Sequence, residues 1–205
     1  MAKHAIVLEA IIHVAEVIFG LILAGGQGRR MGGVDKAQVL LGARPLLSHV
    51  MDRLAPQVAR VAVSSSRAPA QFAPLPVLPD APERLGEGPL AGLLAGLDWA
   101  AQDGADSLIC VPVDTPFLPR DLVARLAGTG VAIACSNGRA HPSVGYWPVS
   151  GRAEIARLFA TGERRLRMAA QGAREIVFAG DPDPFCNLNT PPDFAYAETM
   201  LRSLR

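Results

Sequence analysis

Apolar residues in this chain occur in two patterns, and each pattern predicts one kind of element. Short continuous runs rich in Ile, Leu and Val are typical of strands buried on both faces. Such runs predict strands at residues 17–23, 60–63, 77–78, 107–113, 131–135, 144–149 and 175–178. Segments in which apolar residues recur three and four positions apart predict helices at residues 45–54, 90–101, 119–127, 152–159, 164–170 and 191–204.

The alternation of these elements predicts the fold class. Strands that alternate with helices favour an α/β fold, with a Rossmann-like, doubly wound, mostly parallel sheet and helices on both faces. We expect one domain over residues 17–205. Residues 1–16 precede it, and Glu9, His13 and Glu16 interrupt their apolar run about a helical turn apart. Because charged residues oppose membrane insertion, we expect an amphipathic extension rather than an anchor.

Composition narrows the function. The 205 residues carry a net charge of +1, and half of them are apolar, so we expect no nucleic-acid partner; the charged residues within 1–16 are the reason that we expect no membrane partner. Cys110, Cys135 and Cys186 are odd in number and far apart. This spacing favours reduced thiols in a cytoplasmic protein over a disulfide framework or a zinc site.

The first predicted strand runs into a segment rich in glycine and positive charge, at residues 25–36. Backbone N–H groups and cations in such a loop bind phosphate. The segment lacks the lysine followed by Ser or Thr of a Walker A loop, and Met31 stands where a dinucleotide fingerprint has its third glycine. Lys36 is one of only two lysines in the chain. We therefore expect a triphosphate loop that uses side-chain cations, with a solvated surface turn as the alternative.

Asp114 follows the predicted central strand and precedes Thr115-Pro116. A carboxylate in this position suits a hard cation such as Mg²⁺, which takes one or two carboxylates and fills its other positions with water and phosphate. The alternative is an aspartate that caps the following turn. Since ligands of α/β sheets bind at the carboxyl ends of strands, we expect the loop, the serines at 64–66, Asp80 and Asp114 to form one site.

Several motifs together resemble the molybdenum cofactor guanylyltransferases, the MobA family of the wider nucleotidyltransferase class. They cover most of residues 18–195 and are Leu23-Ala24-Gly25-Gly26, Arg30-Met31-Gly32 with Asp35-Lys36, Gly88-Pro89-Leu90-Ala91-Gly92, Val113-Asp114-Thr115-Pro116 and Asn187-Leu188-Asn189-Thr190-Pro191. The resemblance implies a fold of the nucleotide-diphospho-sugar-transferase type. It also implies a nucleotide-binding part at 17–135 and an acceptor-binding part at 136–205.

The resemblance also assigns residues. It implies that GTP is bound by Leu23, Ala24, Gly25, Gly26, Gly28, Lys36, Ser64, Asp80, Pro89, Leu90 and Asp114. Catalytic roles fall to Arg30, Lys36 and Asp114, with Mg²⁺ on Asp114. Ser64 stands where the family commonly has Asn, and its hydroxyl can donate or accept but has a shorter reach than an amide. For Asp80 both base and ribose contacts stay open.

The acceptor side is predicted from fewer signals. Arg164 and Arg165 offer guanidinium groups to a phosphate, and the resemblance adds Asn187 and Asn189, although an Asn-Thr-Pro sequence is also a good helix start. His141-Pro142 precedes the predicted strand at 144–149 and resembles an acceptor-side segment, with a turn histidine as the alternative.

The resemblance implies transfer of GMP from GTP to the terminal phosphate of molybdenum-bound molybdopterin, with release of pyrophosphate. The alternatives are a cytidylyltransferase acting on the same pterin, a sugar-phosphate nucleotidyltransferase and a non-catalytic GTP-binding assembly partner. Gly25, where cytidylyl relatives tend to carry Ala, favours guanine, and the presence of both Lys36 and Asp114 favours an enzyme. Implied partners are molybdoenzymes or their chaperones and a companion GTP-binding protein.

Overall fold

A computed structural model describes residues 16–25, 35–66, 72–78 and 88–203. Within these ranges the main sheet contains β1 (Ile18–Leu23), β4 (Arg60–Ser64), β5 (Val77–Leu78), β6 (Ser107–Pro112), β7 (Ala132–Ser136), β8 (Arg139–Pro148) and β9 (Arg174–Val177). A separate hairpin contains β2 (Leu40–Leu41) and β3 (Arg44–Pro45). All seven predicted strands are present, with ends shifted by a few residues.

The sheet is mostly parallel, which confirms the predicted fold class. Its strand order is β5-β4-β1-β6-β8-β7-β9. β1 lies between β4 and β6 and pairs in parallel with both, whereas β8 runs antiparallel to β6 and β7. The carboxyl ends of β1, β4 and β6 therefore meet at one edge, where α/β sheets bind ligands.

The prediction that His141-Pro142 precedes the return strand was wrong. β8 begins at Arg139 and includes both residues. Its register against β7 shifts between Ile133 and Ala134, so that Ile133 pairs with Gly145 and Ala134 pairs with His141. Pro142 lies in the irregular part of the strand, where its missing N–H costs no ladder hydrogen bond.

Helices cover both faces of the sheet. They are α1 (Leu46–Leu54), α2 (Pro89–Gln102), α3 (Leu122–Leu126), α4 (Arg152–Ala160), α5 (Leu166–Ala169) and α6 (Pro191–Ser203). Apolar residues of α1 and α3 pack on one face, and those of α2, α4 and α5 pack on the other. The predicted helices at 119–127 and 164–170 were too long. Residues 119–122 form a turn, in which Leu122 N–H donates to the Pro119 carbonyl, and Arg165 has extended backbone angles.

The last helix, α6, packs away from the sheet against the β2–β3 hairpin. Ala197 and Met200 of α6 join Leu41 and Leu46 in a third apolar cluster. Gly42 N–H donates to the Glu198 carboxylate at 2.7 Å. This packing places α6 beside the hairpin that follows Lys36 in the sequence.

At the opposite edge of the sheet, Glu16 anchors the start of the domain. Its carboxylate accepts hydrogen bonds from the hydroxyl groups of Ser107, at 2.5 Å, and Tyr146. The predicted extension otherwise lies outside the described residues. Among the helices of the described ranges, none has both the length and the apolar character that a membrane span needs.

Candidate functional site

The site is centred on Lys36, at the carboxyl edge of the sheet. Its ammonium group donates to Asp114 Oδ2 at 2.8 Å and also to Asn189 Oδ1. The ion pair is well shielded, with side chains 23% and 17% exposed. Residues that are 78 and 153 positions from Lys36 in the sequence thus meet at one nitrogen.

Asp35 fixes the backbone that carries Lys36. It precedes a single 3-10 turn, Lys36–Gln38, and its Oδ1 accepts from the Ala37 N–H at 3.0 Å. Ala37 is fully buried, which holds the turn against the α1 face of the sheet. Asp35 Oδ2 is buried and has no hydrogen-bond partner among the described residues. The residue before Lys36 in the sequence therefore has a buried carboxylate oxygen that accepts no hydrogen bond from the described residues.

Asp114 is held by backbone hydrogen bonds on both sides. Val113 N–H donates to the Leu23 carbonyl at 3.1 Å, which continues the pairing of β6 with β1 past the last strand residue. The Asp114 carbonyl accepts from Leu188 N–H at 3.0 Å, and Leu188 is buried. The segment that carries Asn187 and Asn189 is therefore attached directly to Asp114.

Asp193, which the sequence did not single out, supports Asn189. Its Oδ2 accepts from the N–H groups of Asn189 at 2.9 Å and Thr190 at 2.7 Å. These bonds, with a smaller contribution from nearby Lys36, lower the pKa of Asp193. The Thr-x-x-Asp spacing at the start of α6 is the signal that could have predicted the bond from Thr190 N–H, but not the bond from Asn189 N–H.

Two of the residues predicted to line the nucleotide pocket, Ser64 and Leu23, lie against the first turn of α2. Ser64 is 3% exposed, and a Cβ at Gly92 would lie only 2.5 Å from its Oγ and 3.0 Å from Leu23 Cδ2. Ala24 N–H donates to the Ser64 carbonyl at 3.0 Å. Glycine at position 92 thus lets α2 approach the ends of β1 and β4.

One backbone N–H group at the start of α2 is already hydrogen-bonded within the protein. Leu90 N–H donates to the Arg164 carbonyl at 3.3 Å, while Pro89 is exposed and has no N–H to offer. Of the predicted nucleotide-binding residues, Gly26, Gly28 and Asp80 lie outside the described ranges, as does the predicted catalytic residue Arg30. Gly25 is described and exposed.

Both predicted acceptor arginines have partners inside the protein. Arg165 Nε and Nη2 donate to Glu163 at 2.8 and 2.6 Å, and these bonds lower the pKa of Glu163 to about 2. The Arg164 guanidinium stacks on Phe159 and donates to the carbonyls of Phe159 and Glu163. The surrounding residues, 161–165, line an open cavity of about 480 Å³. Both guanidinium groups are thus hydrogen-bonded within the protein, and their role in acceptor binding stays a prediction.

His141 belongs to a separate polar cluster at the end of β7. Its Nε2 and Asp183 Oδ1 each lie 2.8 Å from Ser136 Oγ, and its ring packs on Phe185. Burial lowers the pKa of His141. Its contacts tie the segment before Asn187 to the sheet.

The oxygen atoms around Lys36 fit a single hard cation. Asp114 Oδ2 and Asn189 Oδ1 already converge on one positive charge, the Lys36 ammonium. Carboxylate and amide oxygens are ligands that Mg²⁺ accepts, and the ion rarely needs an all-protein cage. Within the described residues no group of three or more His, Cys, Asp or Glu could hold a metal, and the ligands that these residues offer here are Asp114 and Asn189.

The doubly wound sheet, with a lysine and an aspartate paired at its carboxyl edge, is typical of the nucleotidyltransferase class. The family model of the MobA-like NTP transferase domain matches residues 20–177. The chain belongs to this family.

Individual relatives match over almost their whole length. A molybdenum cofactor guanylyltransferase from Cereibacter sphaeroides is 52% identical over 192 residues, and one from Rhodobacter capsulatus is 52% identical over 186 residues. Each match covers 90% of this chain and 97% of the relative.

Solved structures of the same fold are more distant in sequence. Molybdopterin-guanine dinucleotide biosynthesis protein A from Archaeoglobus fulgidus superposes with a TM-score of 0.72 at 21% identity, covering 90% of this chain and 99% of that one. The 2-C-methyl-D-erythritol 4-phosphate cytidylyltransferase from Thermus thermophilus superposes with a TM-score of 0.63 at 18% identity, covering 89% and 98%. At these identities the two structures support the fold alone.

Proposed function

We propose that this protein transfers GMP from GTP to the terminal phosphate of molybdenum-bound molybdopterin and releases pyrophosphate. The observation that carries the proposal is the convergence of Lys36, Asp114 and Asn189, from three distant motifs, at one point of the sheet edge. The molybdenum cofactor guanylyltransferases that match this chain at 52% identity support the choice of substrates.

The reaction joins two anionic groups, so charge neutralisation is the main demand on the protein. An oxygen of the acceptor phosphate attacks the α-phosphorus of GTP, a new phosphorus–oxygen bond forms, and the bond to the β-phosphate oxygen breaks. The acceptor oxygen is already ionised, hence no general base is required. Positioning and electrostatic stabilisation then supply the catalysis, as in other phosphoryl transfers.

Lys36 is the cation that we assign to the phosphates of GTP. An ammonium on a flexible stem can follow a phosphate whose shape changes during reaction. In the present structure the ammonium is held by two oxygens at the sheet edge, within the site where the triphosphate would bind. We propose that Arg30 and the glycine loop complete the phosphate site.

Asp114 and Asn189 are the residues that we expect to hold Mg²⁺. Such an ion would supply positive charge to neutralise the attacked phosphate and the leaving pyrophosphate. The protein's own part is to keep both oxygens at the end of β6. The backbone bond from Leu188 to Asp114 does this.

The remaining assignments are proposals that rest on position. Leu23, Ala24, Gly25, Ser64 and the start of α2 would line the nucleoside pocket. We place the acceptor beside Asn187 and beside the cavity at Arg164 and Arg165. Handover to molybdoenzymes or their chaperones, with a companion GTP-binding protein, also remains a prediction.

Removal of the central charges tests the proposal. We expect Lys36→Ala and Asp114→Ala each to lower turnover by about 10²–10³-fold, because each removes a charge that stabilises the transition state. Pyrophosphate release from GTP, with the molybdenum-bound pterin as acceptor, measures the rate, and circular dichroism monitors the fold.

Arg44→Ala provides the matched control, because it removes a cation whose ion pair with Asp52 lies on the open surface. Its turnover should stay within about twofold of wild type, since exposed pairs contribute little. Near-normal rates in both Lys36→Ala and Asp114→Ala would refute the assignment.

A further inference from the structure

The Asn189 backbone is anchored on both sides, and each anchor is a hydrogen bond. On the N-terminal side, Leu188 N–H donates to the Asp114 carbonyl at 3.0 Å. On the C-terminal side, one carboxylate oxygen of Asp193 accepts from both Asn189 and Thr190. The Asn189 side chain leaves this fixed backbone and reaches Lys36.

Helix capping explains only one of the two bonds to Asp193. In a capping box, the third helical residue accepts from the N–H of the N-cap residue, which here is Thr190. The bond from Asn189 N–H, at 2.9 Å, lies one residue outside the helix. It adds nothing to the helix ladder, and the residue it fixes is the one whose side chain enters the site.

The negative charge of Asp193 strengthens the hydrogen bond from Asn189 N–H. Hydrogen bonds to an ionised acceptor are roughly twice as strong as those between neutral groups. The Asp193 carboxylate also lies near enough to Lys36 to feel its charge. An ionised Asp193 therefore holds Asn189 firmly and adds negative potential behind the site.

We propose that Asp193 is a positioning residue of the active site. By holding the Asn189 N–H, it keeps the Asn189 side-chain oxygen beside Asp114 and so sets the affinity of the site for the divalent metal that accompanies GTP. This inference rests on the proposed function. It assigns no contact between Asp193 and substrate, because Asp193 acts through Asn189.

Two substitutions of Asp193 test the role. Asp193→Ala removes both bonds and should raise the Mg²⁺ concentration for half-maximal turnover by about 10–100-fold, the range found when outer-sphere support of a metal ligand is lost. Asp193→Asn keeps a neutral oxygen acceptor and should give a smaller increase. Mn²⁺ binding to the enzyme with GTP, followed by electron paramagnetic resonance, should weaken in the same order.

Glu198→Gln is the matched control. Glu198 is the other carboxylate of α6 that holds a backbone N–H, that of Gly42 in the β2–β3 hairpin. Glu198→Gln also keeps a neutral oxygen acceptor, so it should weaken this bond and lower the melting temperature slightly, but should leave Mg²⁺ dependence within about twofold of wild type. A purely structural role for Asp193 predicts that Asp193→Asn and Glu198→Gln behave alike.

The outcomes separate the two proposals. Equal metal dependence in wild type, Asp193→Asn and Glu198→Gln would overturn the positioning role. Should Asp193→Ala fail to fold, the comparison of Asp193→Asn with Glu198→Gln decides alone. A wild-type protein that binds Mn²⁺ with GTP but transfers no GMP contradicts the proposed function, while the Mn²⁺ series still tests Asp193.

Discussion

Lys36 lies on the oxygens that a metal ion in this site would need. Its ammonium lies on Asp114 Oδ2 and Asn189 Oδ1, the oxygens that we assign to the metal. Two positive charges cannot share these oxygens at close range without strong repulsion. We infer that the ammonium leaves them when metal and triphosphate arrive together. A lysine, with its flexible stem, suits such a movement better than the planar fork of arginine.

This exchange predicts an effect opposite to that on turnover. In nucleotide-free protein, Lys36→Met should raise the affinity for Mn²⁺ by at least about tenfold, because the competing ammonium is gone and Asp114 is left unpaired. Mn²⁺ titration by electron paramagnetic resonance measures the affinity. Lys36→Met combined with Asp114→Asn should lose the gain. Unchanged or weaker Mn²⁺ binding by Lys36→Met would contradict the exchange.

Among the elements, α2 illustrates how closely the pocket is packed. Gly92→Ala would improve helix propensity by about 1 kcal/mol, yet its Cβ would lie 2.5 Å from Ser64 Oγ and 3.0 Å from Leu23 Cδ2. Overpacking costs about 1–3 kcal/mol, so we expect a net loss of about 1 kcal/mol in the free energy of unfolding.

Gly151→Ala, with no atom within 4 Å of its Cβ, should be neutral to within about 0.5 kcal/mol. Urea denaturation measures both. A more stable Gly92→Ala would show that the pocket yields to the extra methyl.

The elements also show what the sequence could and could not predict. Continuous apolar runs located the buried strands, because a strand covered on both faces has no polar positions. The runs could not reveal the early start of β8, since the first half of this strand is not fully buried and carries His141 and Pro142. Likewise, the position of Lys36 and Asp114 after predicted strands indicated that they share one site. It could not indicate which side chains form hydrogen bonds with each other. The Glu163–Arg165 pair and the second bond of Asp193 needed coordinates.

At the scale of the whole molecule, the site draws on distant parts of one chain. Asp114 follows β6, which pairs with β1, and Lys36 lies on the 3-10 turn. The C-terminal segment packs beside them through Leu188 and α6. Ligand binding here should therefore stabilise the entire domain. A nucleotide at 100 times its Kd contributes about 2.7 kcal/mol, which for this chain length raises the melting temperature by about 5–10 °C.

The same measurement tests the choice of base. A Cβ at Gly25 would meet the Ser64 carbonyl oxygen at 3.8 Å, an ordinary contact, and no other described atom within 4 Å. Packing among the described residues thus does not require glycine at this position. We infer that the missing side chain leaves room for a purine.

With Mg²⁺, GTP should raise the melting temperature of wild type more than CTP does. Gly25→Ala should melt near wild type without nucleotide, lose most of the GTP shift and keep its CTP shift. An equal or larger CTP shift in wild type would favour a cytidylyltransferase, and an unchanged GTP shift in Gly25→Ala would place the base selection elsewhere in the pocket.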